Sequence, residues 1–237
     1  MSYKILFIFE GLKTEPKISN CLQEHFFPDD TSNIIHNVFG SNIYSLYDVI
    51  KRDEHADVFE ILREQNILPD DLKDLDRDDV GEIYLFFDHD GHDTRADIQK
   101  ISELLSMFDN ETENGRLYLN YPMVEAIKET DLFQNKTWEI AKNKKYKSYV
   151  SELGTYNDLM SLSKDDWNEM CLKHLKKANW IVNKDYALTT KNSIGQSSIF
   201  EQQVINFIQP LNSVSILSAF PLFVDDYFQE NELEYRQ

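Results

Sequence analysis

The sequence predicts an α/β fold in which a parallel sheet is flanked by helices and followed by a mostly helical C-terminal region. Two apolar runs carry that expectation, Lys4-Ile5-Leu6-Phe7-Ile8-Phe9 and Ile83-Tyr84-Leu85-Phe86-Phe87. Each is continuous rather than alternating, as in parallel strands covered on both faces. The third observation is the alternation of strand-like and helix-like stretches between and after them, which is the pattern of a doubly wound sheet.

In chain order, Thr14-Glu15-Pro16 reads as a helix start, with Pro16 tolerated in the first turn, and Ile18, Leu22 and Phe26 then fall on one face. Asn33 to Phe39 reads as a second strand closed by Gly40 and Ser41. Ile43, Leu46, Tyr47 and Ile50 mark a helix, and Val58, Ile61 and Leu62 another, before an acidic loop from Pro69 to Val80. After the central strand, Asp93 or Thr94 is the expected cap of a helix with the stripe Ile98, Ile101, Leu105 and Phe108. Leu117-Tyr118-Leu119 makes a further short strand, broken by Pro122, with Glu125 just inside the next helix.

Beyond Thr130 the apolar spacing becomes helical, as at Trp167, Met170, Cys171 and Leu175, or Ile199, Val204 and Phe207. Ser213 to Pro221 reads equally as strand or helix, and Leu222 to Phe228 as a closing helix with Asp225 and Asp226 exposed. The expected division is therefore a catalytic domain over residues 1–130, with an acidic insertion at about 48–82, and a helical region over 131–237.

The chain has 237 residues, of which 41% are hydrophobic and 13% aromatic, so disorder is excluded. The formal net charge of −18 argues against a uniformly nucleic-acid-binding surface, because phosphate contacts are made mainly by Lys and Arg. The charge is uneven, however. Asp53, Glu54, Asp70, Asp71, Asp74, Asp76, Asp78 and Asp79 crowd the insertion, whereas Lys136, Lys142, Lys144, Lys145 and Lys147, then Lys173, Lys176 and Lys177, gather later. If any face meets phosphate it is the second, with Lys142, Lys144, Lys145 and Lys147 as candidate contacts and Tyr146 and Tyr149 placed among them to stack on bases. Cys21 and Cys171 are far apart and form no CxxC pair, which suits a reducing cytoplasm. No run is apolar and long enough to span a bilayer, and the first strand, interrupted by Glu10, does not have the layout of a signal peptide.

Both strand runs end in acids followed by glycine: Phe9-Glu10-Gly11 and Phe87-Asp88-His89-Asp90-Gly91. Ligands in open α/β sheets bind beyond the carboxyl ends of the strands. An extended chain would aim Asp88 and Asp90 to one side and His89 to the other, with Gly91 allowing a sharp turn. Two close carboxylates repel unless a cation lies between them. With Glu10 at the end of a neighbouring strand and Glu15 leaning in from the next helix, the expected cluster is a hard-oxygen site for Mg²⁺ or Mn²⁺. The plainer readings are solvated strand ends for Asp88 and Asp90, helix-dipole acids for Glu15 and Glu125, packing for His89, and a solvated helix face for the lysines.

Together, Glu10-Gly11-Leu12-Lys13-Thr14-Glu15, Asp88-His89-Asp90-Gly91 and Asn120-Tyr121-Pro122-Met123-Val124-Glu125 resemble the Toprim domain, more narrowly the stand-alone Toprim proteins of the RloB and OLD type associated with restriction and phage defence. The resemblance covers roughly the first half of the chain. It implies a Toprim-like sheet and Mg²⁺-dependent nuclease activity on DNA or RNA. Asp88 and Asp90 would hold metal, Glu10 would bind metal or move a proton, and Glu15 and Glu125 would complete the metal shells. The chain has no G-x-x-x-x-G-K-[ST] loop, so an ATPase of the kind that accompanies OLD-type proteins would be a separate partner. His92 stands where that family often has a third acid. Taken alone, Asp88-His89-Asp90-Gly91 also resembles the nucleophile motif of haloacid-dehalogenase-type phosphatases, with Asp225 and Asp226 as the later acids, but this leaves Glu10-Gly11 without a role. A third reading is a non-enzymatic acidic module that docks on a basic partner through residues 48–82.

Overall fold

The computed structural model describes residues 3–27, 33–52, 57–64, 68, 73–129, 133–154 and 156–237. Asp53, Glu54, Asp70 and Asp71 of the acidic stretch lie outside the described residues, as does Pro69. The chain divides into two compact units, one made of Met1–Phe87 and Arg95–Leu117, the other of Asp88–Thr94 and Tyr118–Gln237.

The first unit opens with β1 (Lys4–Phe9) and α1 (Thr14–Phe26), then β2 (Ile34–Val38), α2 (Ile43–Ile50) and α3 (Val58–Glu64). β3 (Val80–Asp88), α4 (Ile98–Met107), β4 (Asp109–Asn110) and β5 (Gly115–Asn120) follow. The strands form one sheet in the order β2-β1-β3-β5-β4. β1 pairs in parallel with β2 on one side and β3 on the other, Phe9 lying opposite Val38 and Phe86, and the two-residue β4 runs antiparallel to β5. The α/β class with a mostly parallel, helix-flanked sheet is therefore as the apolar runs predict.

The physical cause is visible in the burial. Ile5 to Phe9 and Ile83 to Phe87 are all buried, odd and even positions alike, so both faces of these strands are covered. Phe7 lies at the centre, with ring centroids 5.8 Å from Tyr84, 5.7 Å from Phe86 and 6.1 Å from Phe9. On α1 the expected stripe Ile18, Leu22 and Phe26 is buried. Its Ser19 and Gln23 meet the His36 Nε2 of β2 at 2.9 and 2.8 Å, which ties helix to strand. Burial pushes the His36 pKa down, so the ring is held as a neutral acceptor.

One local expectation changes. The cap of α4 is Asp97, whose side chain accepts from the amides of Gln99 and Lys100; Asp93 and Thr94 fall in the preceding turn. The acids that are described in the insertion have neighbours: Asp76 caps a 3₁₀ turn at Arg77–Asp79, and Asp57 pairs with Arg77 at 2.8 Å.

In the second unit, a 3₁₀ turn at Val124–Lys128 precedes β6 (Thr137–Glu139), α5 (Asn143–Leu153) and α6 (Lys164–Asn183). α7 (Gln196–Gln203) continues through a π-helical turn at Val204–Ile208 into the short α8 (Gln209–Leu211), before β7 (Ser213–Ser215) and α9 (Phe220–Tyr227). The region is mostly helical, as expected, with β6 and β7 forming a small antiparallel pair. The ambiguous Ser213–Pro221 segment is thus strand first and helix afterwards. Ser163 caps α6 with a reciprocal capping box to Asp166, the reason that helix starts where it does.

Candidate functional site

The acid-bearing residues of the first unit sit directly after β1. The strand ladder extends one residue past its end: the Glu10 amide donates to the Phe86 carbonyl at 3.2 Å and its carbonyl accepts from Gly40 at 3.2 Å. α1 has no side-chain cap at Lys13. Instead the Glu15 carboxylate folds back and accepts the Gly11 amide at 3.0 Å. A Cβ at Gly11 would stand 3.0 Å from both Glu15 oxygens, so any larger residue there would push the carboxylate back by a few tenths of an ångström. Glu15 is buried, and its first role is local: it satisfies an amide at the helix entrance.

The paired acids of the second unit depart from the extended geometry expected of them. β3 ends at Asp88, and Asp90 adopts a left-handed backbone with φ 46°. The alternation that would aim Asp88 and Asp90 to one side therefore stops at Asp88. The chain does turn at Gly91, as expected: the Asp90 carbonyl accepts the Asp93 amide at 2.9 Å, with Gly91 and His92 between them, but the left-handed residue is Asp90. What Gly91 provides is room: a Cβ there would lie 2.6 Å from Cε1 of His89. His89 is buried, its ring 5.6 Å from Tyr121 and 6.2 Å from Phe200, and its amide donates to the Asn120 carbonyl at 3.0 Å. Burial, helped by the neighbouring His92, pushes its pKa down to about 4, so it is a neutral packing residue. His92 lies nearer the acids, its Nδ1 3.7 Å from Asp90 Oδ1. Burial holds the Asp90 carboxyl above the usual carboxylate range; His92 opposes this and Asp93 adds to it.

One residue that sequence reasoning passed over touches the pair. Asn120, fully buried at the end of β5, donates from Nδ2 to Asp88 Oδ1 at 3.2 Å. A signal for it was present: Leu117-Tyr118-Leu119-Asn120 is a third apolar run that ends in a polar side chain, as β1 runs into Glu10 and β3 into Asp88.

Glu125 lies in the first turn of the 3₁₀ segment and is buried, paired with the Lys147 ammonium at 3.0 Å. The lysine run divides in two. Lys142 pairs with Glu139 at 2.7 Å and Lys136 with Glu129 at 2.7 Å, whereas Lys144 and Lys145 are exposed on α5. Glu129 is fully buried and also accepts from the hydroxyls of Tyr146 and Tyr149 at 3.1 and 3.0 Å. Tyr146 is thus a core residue, packed with Ala126, Val150 and Ile216, and is not available to stack on a base. Tyr149 is half-buried against Trp138, with ring centroids 4.8 Å apart. Lys177 is likewise internal: its ammonium donates to the carbonyls of Gln134 and Lys136 at 2.6 and 3.1 Å, and burial lowers its pKa to about 7.

Asp225 is not the exposed acid the closing helix suggested. It is buried, and the guanidinium of Arg236 grips both its oxygens, with Nη2 to Oδ2 at 2.6 Å. Asp226 accepts from the Tyr118 hydroxyl at 2.9 Å. Cys21 and Cys171 are buried free thiols, that of Cys171 pushed well up by burial and then by the charge of Asp225.

Among the described residues, no group of three or more His, Cys, Asp or Glu side chains stands ready to hold a metal ion. Nor, among the described residues, is any helix long and apolar enough to cross a membrane. Compared with protein-family models, curated proteins and solved structures, the chain matches none.

Proposed function

We propose that this chain is a Mg²⁺- or Mn²⁺-dependent nuclease of the Toprim type. The observation that supports it most is Asp88, an acid that closes a strand buried on both faces, followed at once by a second part-buried acid on a left-handed turn. Acids placed only for solubility do not need burial. The donor set is chemically suited to a hard divalent ion: Asp88 and Asp90 supply carboxylate oxygens, and the charge on Asp90 is disfavoured by burial until a cation offsets it. In this reading Glu10 binds metal or moves a proton, while Glu15 and Glu125 contribute only if their present partners, the Gly11 amide and Lys147, release them.

A hard divalent ion, when bound, polarises a phosphodiester oxygen and acidifies a coordinated water. The protein's part is to fix the carboxylates, to accept a proton at one of them, and to hold the nucleic acid. Lys144 and Lys145, exposed on α5, are the cations best placed to meet backbone phosphate; Lys142 and Lys147 take part by exchanging Glu139 and Glu125 for it. The substrate is DNA or RNA, the setting is phage defence in the cytoplasm, and a separate ATPase is the partner, as the resemblance implies. The engagement of Asp225 by Arg236 counts against the haloacid-dehalogenase reading, which would use Asp225 and Asp226 as its later acids.

The test is Mn²⁺ and Mg²⁺ binding by calorimetry for wild type, Asp88→Ala and Glu10→Ala, with plasmid and tRNA cleavage on the same samples. Binding and cleavage present in wild type and lost in both variants is the expected result. A folded wild type that neither binds nor cleaves would leave the acidic docking module as the better reading.

A further inference from the structure

We infer that Asn120 is a positioning residue that fixes Asp88 through a buried hydrogen-bond chain reaching into α6; the inference rests on the metal-site reading above. The amide of Asn120 has only one orientation open to it. Ala219 presents a backbone N–H at 2.9 Å and Ser218 a hydroxyl at 3.4 Å, so the atom facing them must be the acceptor Oδ1. Nδ2 is thereby turned toward Asp88 Oδ1, 3.2 Å away, to which it donates. The Asn120 carbonyl, on the other side, accepts the amide of His89, the residue that follows Asp88. Both backbone and side chain of Asn120 therefore locate the acid.

The chain continues inward. The amide of Ser218 donates to His174 Nδ1 at 3.1 Å, and His174 Nε2 donates to the Ile127 carbonyl at 3.4 Å. Asn120, Ser218 and His174 are each fully buried, so the bonds behind the half-buried Asp88 are made without competing water. A donor of this kind favours the ionised carboxylate and fixes its rotamer, which is what partners behind a metal ligand do; removing one weakens metal affinity by about 10–100-fold. The wider consequence is that Ser218, Ala219 and His174, which lie beyond the region of Toprim resemblance, belong to the support of the acid pair.

The experiment compares wild type, Asn120→Ala and the control Leu119→Val, a buried neighbour on the same strand. Mn²⁺ affinity is read by calorimetry, and stability by urea unfolding. The expected result is Mn²⁺ binding weakened about 10–100-fold in Asn120→Ala and unchanged in Leu119→Val. Equal effects in the two variants, or an affinity for Asn120→Ala within about twofold of wild type, would overturn the inference. A second readout uses metal-free protein: in isotope-labelled spectra one Asn120 Nδ2 proton should be shifted downfield by the Asp88 carboxylate and move upfield in Asp88→Ala. If Asn120→Ala does not fold, this measurement decides, and a proton that stays in place overturns the clamp. Should wild type bind no Mn²⁺, the metal reading fails on its own terms while the Nδ2 shift still judges whether Asn120 holds Asp88.

Discussion

Replacing Arg236 by methionine should destabilise the chain severely, although the residue lies at position 236 of 237. Its side chain is only 3% exposed and that of Asp225 5%, so the pair is closed to water from both sides. Two guanidinium nitrogens meet the two Asp225 oxygens, and Nη1 donates to the Thr189 carbonyl at 3.0 Å. Arg236→Met keeps much of the apolar stem but leaves a buried carboxylate without its cation, which costs about 3–5 kcal/mol. The lost bond to Thr189 adds about 1 kcal/mol. Against a whole-domain stability of about 5–15 kcal/mol, that moves the urea midpoint far. Asp225→Leu combined with Arg236→Met removes both charges, and about neutral to mildly destabilising is the expectation, so the two substitutions should be strongly non-additive. Urea unfolding of the two single variants and the double variant checks this. A loss below about 1 kcal/mol for Arg236→Met, or simple additivity, would refute the reasoning. An Asp225→Leu chain with wild-type stability and abolished catalysis would restore the phosphatase reading of that acid.

His174 should make the chain acid-sensitive. Burial lowers its pKa from 6.5 to about 3, so its stabilising contribution is whole above pH 6.5 and is lost as pH falls towards 3. Between pH 7 and pH 5, wild type should lose about 2 kcal/mol more than His174→Gln in urea unfolding; equal losses would show that the ring is not held neutral. Gly91→Ala should cost about 1–3 kcal/mol, since the new methyl meets the buried His89 ring, and His89→Ala in the same chain should recover part of it. For Lys144→Glu with Lys145→Glu, nucleic-acid affinity should fall uniformly across sequences and the salt slope should shrink by about one for each lysine that touches phosphate; an unchanged slope would remove α5 from the interface.

What the sequence made legible was whatever depends on neighbours in the chain. β1 and β3 announced themselves as apolar runs, β2 by the Gly40 and Ser41 that close it, α1 by its stripe and Pro16, and Glu10, Asp88 and Asp90 by standing where the two apolar runs stop. What stayed hidden depends on partners far along the chain. Asp225 looks like a surface acid on α9 until Arg236 closes over it, and Lys177 and Tyr146 look like members of a basic, aromatic face until their carbonyl and carboxylate partners are known. Asn120 could be suspected from its place at the end of an apolar run, but its orientation is decided by Ala219, ninety-nine positions later. The backbone of Asp90 was illegible for another reason: a glycine one residue on was the natural place for a left-handed residue, whereas aspartate tolerates that region well enough to adopt it just before the turn through Gly91.

The chain changes compact unit three times, at 87/88, 94/95 and 117/118. Neither unit is therefore a continuous length of polypeptide, and vectorial synthesis must cope with that. The first cannot close until Leu117 has left the ribosome, although most of its sheet is already made. The segment Asp88–Thr94 waits longer, since the Asn120 carbonyl, Tyr121 and Phe200 that receive His89 are all made after it. Domains that finish one at a time shield their apolar surface early. In this chain the aspartates most closely tied to its proposed chemistry, at the end of β3 and in the turn after it, border a residue whose packing partners are all made after it.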